Sequence, residues 1–195
     1  MAIDKNDTKE KIILEAMEII GKQVNMKVTT REIAKKAHVN LASINYYFRS
    51  KENLFKEVEK HLADKLQKIY DILSENDLPL KERLTLWAES LMQYLLDYPG
   101  IMFMWAQSVI EDQKKGGIVG KLISTSEMTI DKIITDLSSI NNREIISFKV
   151  MQLLSGVINP VILYQVAGEN ITINIMDKGL RKRYITSLIN TLIRD

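Results

Sequence analysis

TTREIAKKAHVNLASINYYFRSKENLF, residues 29–55, decides how this chain is read. Thr29 followed by Glu32 fits a capping box, in which the threonine hydroxyl accepts from the N3 amide and the glutamate reaches back to the cap. Thr30, Ile33, Ala34 and Ala37 then form a short stripe on a helix of about nine residues, too short to persist in isolation. His38-Val39-Asn40 breaks the pattern, and Asn40 can cap a second short helix that buries Ala42, Ile44 and Phe48. Two short helices across a three-residue turn make a helix-turn-helix. Burying Ile44 and Phe48 leaves Leu41, Ser43, Asn45, Tyr46 and Tyr47 on other faces, so Phe48 is expected inward and the tyrosines outward.

Helical spacing continues on both sides. Ile13, Ala16, Met17, Ile20 and Val24 recur at amphipathic intervals within 8–24, with Gly21 near the end. Ser50 caps a long helix from Lys51 to about Ser74, with Phe55, Val58, Leu62, Ile69 and Leu73 on one side, and ENDLPL stops it. Residues 22–51 hold Lys22, Lys27, Arg31, Lys35, Lys36, Arg49 and Lys51 against Glu32 alone. That stretch is +6 in a chain whose total is +2, which leaves −4 elsewhere. A cationic end on a mildly acidic body suits an anionic partner, of which phosphate backbone is the commonest, although a solvated charged face accounts for the same pattern.

The run 29–55 resembles the DNA-binding module of TetR-type bacterial transcriptional repressors, in order and without gaps. The resemblance covers roughly residues 8–60, and its most telling parts are T-x-R-x-I-A, the Phe closing the recognition helix and S-K-E-N-L opening the next. Two positions depart from it: a glycine is usual where His38 stands, and a tyrosine is common where Asn45 stands. Histidine is among the residues found at positive φ, so the turn is expected to survive. Asparagine can pair bidentately with adenine where tyrosine cannot. The resemblance implies that Thr30 and Arg31 meet a phosphate at the second helix's start, Arg31 alternatively a guanine edge. Leu41, Ala42, Ser43 and Asn45 then face base edges, the first two touching only apolar features such as a thymine methyl, while Tyr46, Tyr47 and Lys51 reach the sugar-phosphate backbone. Tyr46 has a rival reading as a half-buried prop, and Thr30 as a mere cap.

The rest bounds the function. A chain of 195 residues that is 46% apolar builds a real core, and the absence of cysteine removes disulfides and thiolate metal sites. The N-terminus lacks an apolar export signal, so the bacterial cytoplasm is expected, with the protein on the nucleoid when bound to DNA. Val150–Gly168 is free of formal charge at near-spanning length, but Gln152, Ser155, Asn159, Pro160 and Gln165 favour a buried packing helix over a membrane span. Both histidines, His38 and His61, lie near the basic module, and GGIVGK at 116–121 departs from a phosphate loop in its glycine spacing and at Leu122. No catalytic centre, metal site or cofactor is expected.

The expected fold is all-α: a three-helix module over 1–50, joined by a helix to a larger helical bundle within 51–195, about nine helices in total. Body helices are predicted at Lys81–Leu96, Gly100–Glu111, Val119–Ser138, Arg143–Ala167 and Ile175–Arg194, and ITINI at 171–175 as a loop. Met102, Phe103, Met104 and Trp105, with Trp87, Met92, Tyr94 and Met128 on flanking helices, suit a pocket for an apolar or aromatic effector, or else ordinary core. The helix at 150–168 and the last helix, with Ile175, Leu180, Tyr184, Leu188, Ile189 and Leu192, offer more apolar surface than one body needs. Burial in a homodimer resolves that, and the resemblance implies the same pair as interface. The functional expectation is a dimeric repressor on a palindromic operator, released by a small-molecule effector; the alternative is a small-molecule-binding protein or enzyme with an incidental basic patch.

Overall fold

A computed structural model describes residues 5–22, 28–102, 106, 117–168 and 174–194. The fold is all-α as expected, with no strand among the described residues. The helices are α1 (Lys5–Lys22), α2 (Thr30–Lys36), α3 (Leu41–Phe48), α4 (Lys51–Asp71) closed by a 3-10 turn at Ile72–Ser74, α5 (Leu80–Asp97), α6 (Gly117–Leu137), α7 (Arg143–Ala167) and α8 (Lys178–Leu192). Residues 100–102 are helical as well, and the remainder of the helix expected at Gly100–Glu111 lies, but for helical Ala106, outside the described residues, as do Val24 and positions 171–173 of ITINI. Asn174 and Ile175 are not in a strand.

The chain forms two compact units, Met1–Lys65 with Asp97–Ile118, and Leu66–Leu96 with Val119–Asp195. The first is built on Ile12, Ile13, Ala16, Met17 and Ile20 of α1, Ile33 and Ala34 of α2, Ile44 and Phe48 of α3, and Leu54, Val58 and Leu62 of α4, all buried. Ile12 extends the expected α1 stripe by one position, while Phe55 and Ile69 are only half-buried because the core side of α4 is centred on Leu54, Val58, Leu62 and Leu66.

In the second unit α7 and α8 pack against each other at Gly156. A Cβ there would meet Leu188 Cδ2 at 2.6 Å, so any larger residue has to displace the Leu188 side chain. The Tyr184 hydroxyl donates to the Gly156 carbonyl at 2.7 Å, and burial pushes that phenol's pKa up. Lys149 Nζ donates to the carbonyls of Leu192 and Arg194 at 2.6 and 2.7 Å, satisfying the end of α8 from α7. Helix α8 starts at Lys178, three residues later than expected, because Asp177 caps it by accepting from Leu180 N at 2.8 Å.

Helix α7 is not the fully buried helix expected over 150–168. Ile146, Val150, Leu153, Val157 and Val161 are buried, while Ile145, Phe148, Met151, Ile162, Leu163 and Val166 are exposed. By length and composition it suffices to cross a membrane, yet only 28% of its apolar window is buried within the chain. The surface expected to be spare at the last helix is mostly used, with Ile175 just before α8 and Ile189 and Leu192 on it buried, and Leu180, Tyr184 and Leu188 half-buried.

Candidate nucleic-acid interface

The capping box forms as the spacing requires. Glu32 N donates to Thr29 Oγ1 at 3.2 Å, and Thr29 N and Oγ1 donate to Glu32 Oε2 at 2.7 and 2.8 Å. These donors hold the Glu32 carboxyl below the usual carboxylate range. The glutamate is thereby committed to the helix start, and Arg31 beside it is exposed with no salt bridge among the described residues. Thr30 opens α2 half-buried. His38 adopts φ 53, the positive value expected for the residue that replaces the turn glycine. Asn40 Oδ1 then accepts from Ala42 N at 3.0 Å and starts α3.

On α3 the division of faces is sharp. Ile44 and Phe48 are buried, Leu41 and Ser43 half-buried, and Ala42, Asn45 and Tyr46 exposed. The expected burial of Ala42 is thus corrected: two positions before Ile44 is about 200° around a helix, on the far side from the core. Tyr46 is 67% exposed, which excludes the half-buried prop in this chain. Tyr47 is the half-buried ring, edge-on to Tyr46 at 5.1 Å between centroids and tilted against Phe48 at 6.3 Å. One tyrosine therefore rests on the core and the other leans on it. Lys51, at the start of α4, is half-buried with its ammonium 4.9 Å from the Phe55 ring centre.

The residues expected to line an effector pocket do not assemble as one group. Phe103 and Trp105 lie outside the described residues, as does Met104. Met102 belongs to the first unit; Trp87, Met92 and Tyr94 belong to the second and are buried on α5. Met128 is 76% exposed on α6, in an open groove with Met151, Val150 and Leu154 of α7. What the core of the second unit does offer is unused polarity. Among the described residues, the buried Trp87 Nε1 has no acceptor and the buried Glu89 Oε1 no donor. The Tyr70 ring lies 5.9 Å from that of Trp87, and burial, with a lesser contribution from the Glu127 charge, pushes its pKa up to about 12.

Because the folded value exceeds the ordinary 10.0, Tyr70 contributes stability that is intact below about pH 10 and lost as pH rises toward 12. The loss is on the order of 2 kcal/mol. Tyr70→Phe is expected to flatten the alkaline limb of the stability profile between pH 8 and pH 11, measured by urea unfolding, and an unchanged difference between the two pH values contradicts the assignment.

Sequence reasoning missed three features of the sites. Arg49, which follows α3, takes φ 65 and ψ −36. Lys56 and Lys60 stand one turn apart on α4 beside it, around a groove of about 540 Å³. Arg181 is a buried cation in the second unit. The i, i+4 lysines were visible in the sequence, but only the packing of α3 on α4 sets Arg49 beside them.

Among the described residues no group of three or more His, Cys, Asp or Glu is placed to hold a metal. Residues 12–58 match the sequence profile of the bacterial regulatory proteins of the tetR family. The chain is 41% identical over 64 residues to the HTH-type transcriptional dual regulator CecR of Shigella flexneri, covering 33% of this chain and 28% of that one. It is 33% identical over 72 residues to the probable HTH-type transcriptional regulator YttP of Bacillus subtilis, covering 37% and 35%. The chain thus spans about a third of the length of the curated relatives it matches. Over the whole fold it superposes on a TetR-family transcriptional regulator from Marinobacter aquaeolei with a TM-score of 0.74 at 18% identity, covering 95% of this chain and 89% of that one. A TetR-family regulator from Mesorhizobium loti gives 0.65 at 16% identity, covering 97% and 96%. Profile and relatives agree with the helix-turn-helix built above over residues 12–58, which are similar to the tetR family of bacterial regulatory proteins, and the whole chain has the fold of the TetR-family structures it superposes on.

Proposed function

We propose that this protein is a homodimeric transcriptional repressor that sets two copies of α3 into successive major grooves of a palindromic operator, about 34 Å apart. The observation that carries the reading is the two-sided character of α3. Its Ile44 and Phe48 are in the core, and its Ala42, Asn45 and Tyr46 are exposed, within a strongly cationic stretch. Leu41, Ala42, Ser43 and Asn45 face base edges, and Asn45 has the donor and acceptor needed for adenine. Thr30 and Arg31 take a phosphate at the start of α2, Tyr46 and Tyr47 place hydroxyls on the backbone, and Lys51 adds a further phosphate contact. The division at residue 50 into reading module and regulatory body belongs to the same proposal, as does action on the nucleoid in the cytoplasm.

The body takes a small effector. Trp87 Nε1 and Glu89 Oε1 support this, since buried polar atoms without partners cost free energy that a ligand's acceptor or donor recovers. If effector affinity differs between the DNA-bound and free states by about 3 kcal/mol, operator binding weakens more than a hundredfold. A second copy, rather than lipid, covers the exposed side of α7, because that side is polar at its middle, at Gln152, Ser155 and Asn159.

The test is a gel shift with the intergenic DNA beside the protein's own gene. An Arg31→Ala, Tyr47→Ala double variant is expected to bind about a hundredfold more weakly, two contacts of roughly 1–3 kcal/mol each, with helicity and sedimentation unchanged. Undiminished binding by a folded double variant defeats the assignment of α2 and α3 as the reading surface.

A further inference from the structure

The groove between the end of α3 and the outer side of α4 holds three cations that no salt bridge among the described residues neutralises. Arg49, Lys56 and Lys60 line it. The one carboxylate in the lining, Glu57, is engaged by Lys9 of α1 at 3.1 Å. Glu52 lies near enough for Lys51 and Lys56 to lower its pKa, but its own backbone amide and the Ser50 hydroxyl do more. Tyr47 belongs to the same lining, so the groove is continuous with the recognition helix.

The turn that builds the groove is held in an uncommon conformation. Arg49 sits at φ 65 and ψ −36, a strained region for a residue with a Cβ. It is pinned on both sides, Arg49 N donating to Asn45 O at 3.0 Å and Asn53 Nδ2 donating to Phe48 O at 3.0 Å. A glycine satisfies this backbone at lower cost. An arginine thus stands at a conformationally disfavoured position in the lining of a cationic groove.

The free side-chain groups here are nearly all donors: a guanidinium, two ammonium groups and a phenol that also accepts. A phosphate is all acceptor, and continuity with α3 places the phosphates of the same duplex nearest. We propose that Arg49, Lys56 and Lys60 bind backbone phosphates flanking the half-site read by α3, extending the footprint outward. This rests on the duplex-binding reading above.

The experiment compares the parent with an Arg49→Gln, Lys56→Gln, Lys60→Gln triple variant by fluorescence anisotropy across a salt series. The probes are the footprinted intergenic duplex trimmed to its protected half-sites, and the same duplex extended by about one helical turn, ten base pairs, on each side. On the extended duplex the triple variant is expected to lose at least tenfold in affinity. The slope of log K against log salt is expected to fall by about 0.9 for each phosphate no longer neutralised. On the trimmed duplex the two proteins are expected to agree, and sequence preference stays the same. Equal affinity and slope on the extended duplex overturn the proposal, as does an equal loss on both duplexes, which places the three cations inside the half-site. Tripolyphosphate serves as a third arm: if it raises the parent's melting temperature and not the variant's while the duplex data coincide, the groove holds a small anion instead. A parent that binds neither duplex defeats the DNA reading itself, whereas a parent that binds and a variant that matches it defeat only this inference.

Discussion

Arg181→Ala is expected to cost the second unit about 3–4 kcal/mol. Arg181 is 6% exposed, its Nη1 donates to the Ile175 carbonyl at 2.7 Å, and its Nη2 donates to Gln93 Oε1 of α5. Its position is electrostatically unfavourable: it lies in the first turn of α8, whose amides already present partial positive charge. Asp177 offsets this at the N-cap, and the two acceptors replace the water that the guanidinium gave up. Truncation strands a buried carbonyl and takes a charged donor from the Gln93 oxygen, at about 1–3 kcal/mol each, and leaves a cavity where the stem packed. Arg181→Lys is expected to recover only part of the loss, because an ammonium lacks the rigid fork that reaches both acceptors. Urea unfolding followed by circular dichroism measures both variants. An alanine variant within about 0.5 kcal/mol of the parent shows that Ile175 and Gln93 find other partners without cost.

Arg181 also marks the limit of what the sequence conveys. Helix boundaries set by local chemistry were legible: Asn142 accepts from Glu144 N and Ile145 N, Gly168 turns away at φ 59, and α7 runs over Arg143–Ala167 as its sequence predicts. The same holds for the capping box of α2 and the cap at Asn40. Each N-cap is a hydrogen bond between residues two or three apart, so the pattern that encodes it lies within one short window. Arg181 to Gln93 joins positions 88 apart, and no periodicity on α8 marks a cation as buried. The groove beside Arg49 was hidden for a related reason, since it needs the angle at which α4 leaves the turn. Ala42 was misread by weighing its apolar character above its angular position on α3. The expected effector lining rests on residue type alone, and type does not separate Trp87, wholly buried, from Met128, at the surface.

Phe148→Glu with Met151→Glu is expected to convert the proposed dimer to monomers at micromolar concentration. Taken at about 100° per residue, Ile145, Phe148, Met151, Ile162, Leu163 and Val166 all fall within about 120° of α7, as one stripe opposite its buried side. The stripe is apolar toward both ends and polar between them, at Gln152, Ser155 and Asn159. A two-fold axis near its middle brings each apolar end against the other end of the partner helix and the polar residues against one another, the self-complementary pattern of an isologous contact. Each interface then gains four carboxylates from the double variant. Burying them without partners costs several kcal/mol apiece, enough to raise the dimer dissociation constant far more than a hundredfold. Analytical ultracentrifugation reads the outcome, and because the proposed function makes operator affinity depend on two linked copies of α3, the monomer is expected to lose the operator while keeping a salt-sensitive, sequence-independent hold on DNA. A double variant that still sediments as a dimer shows that α7 does not form the interface.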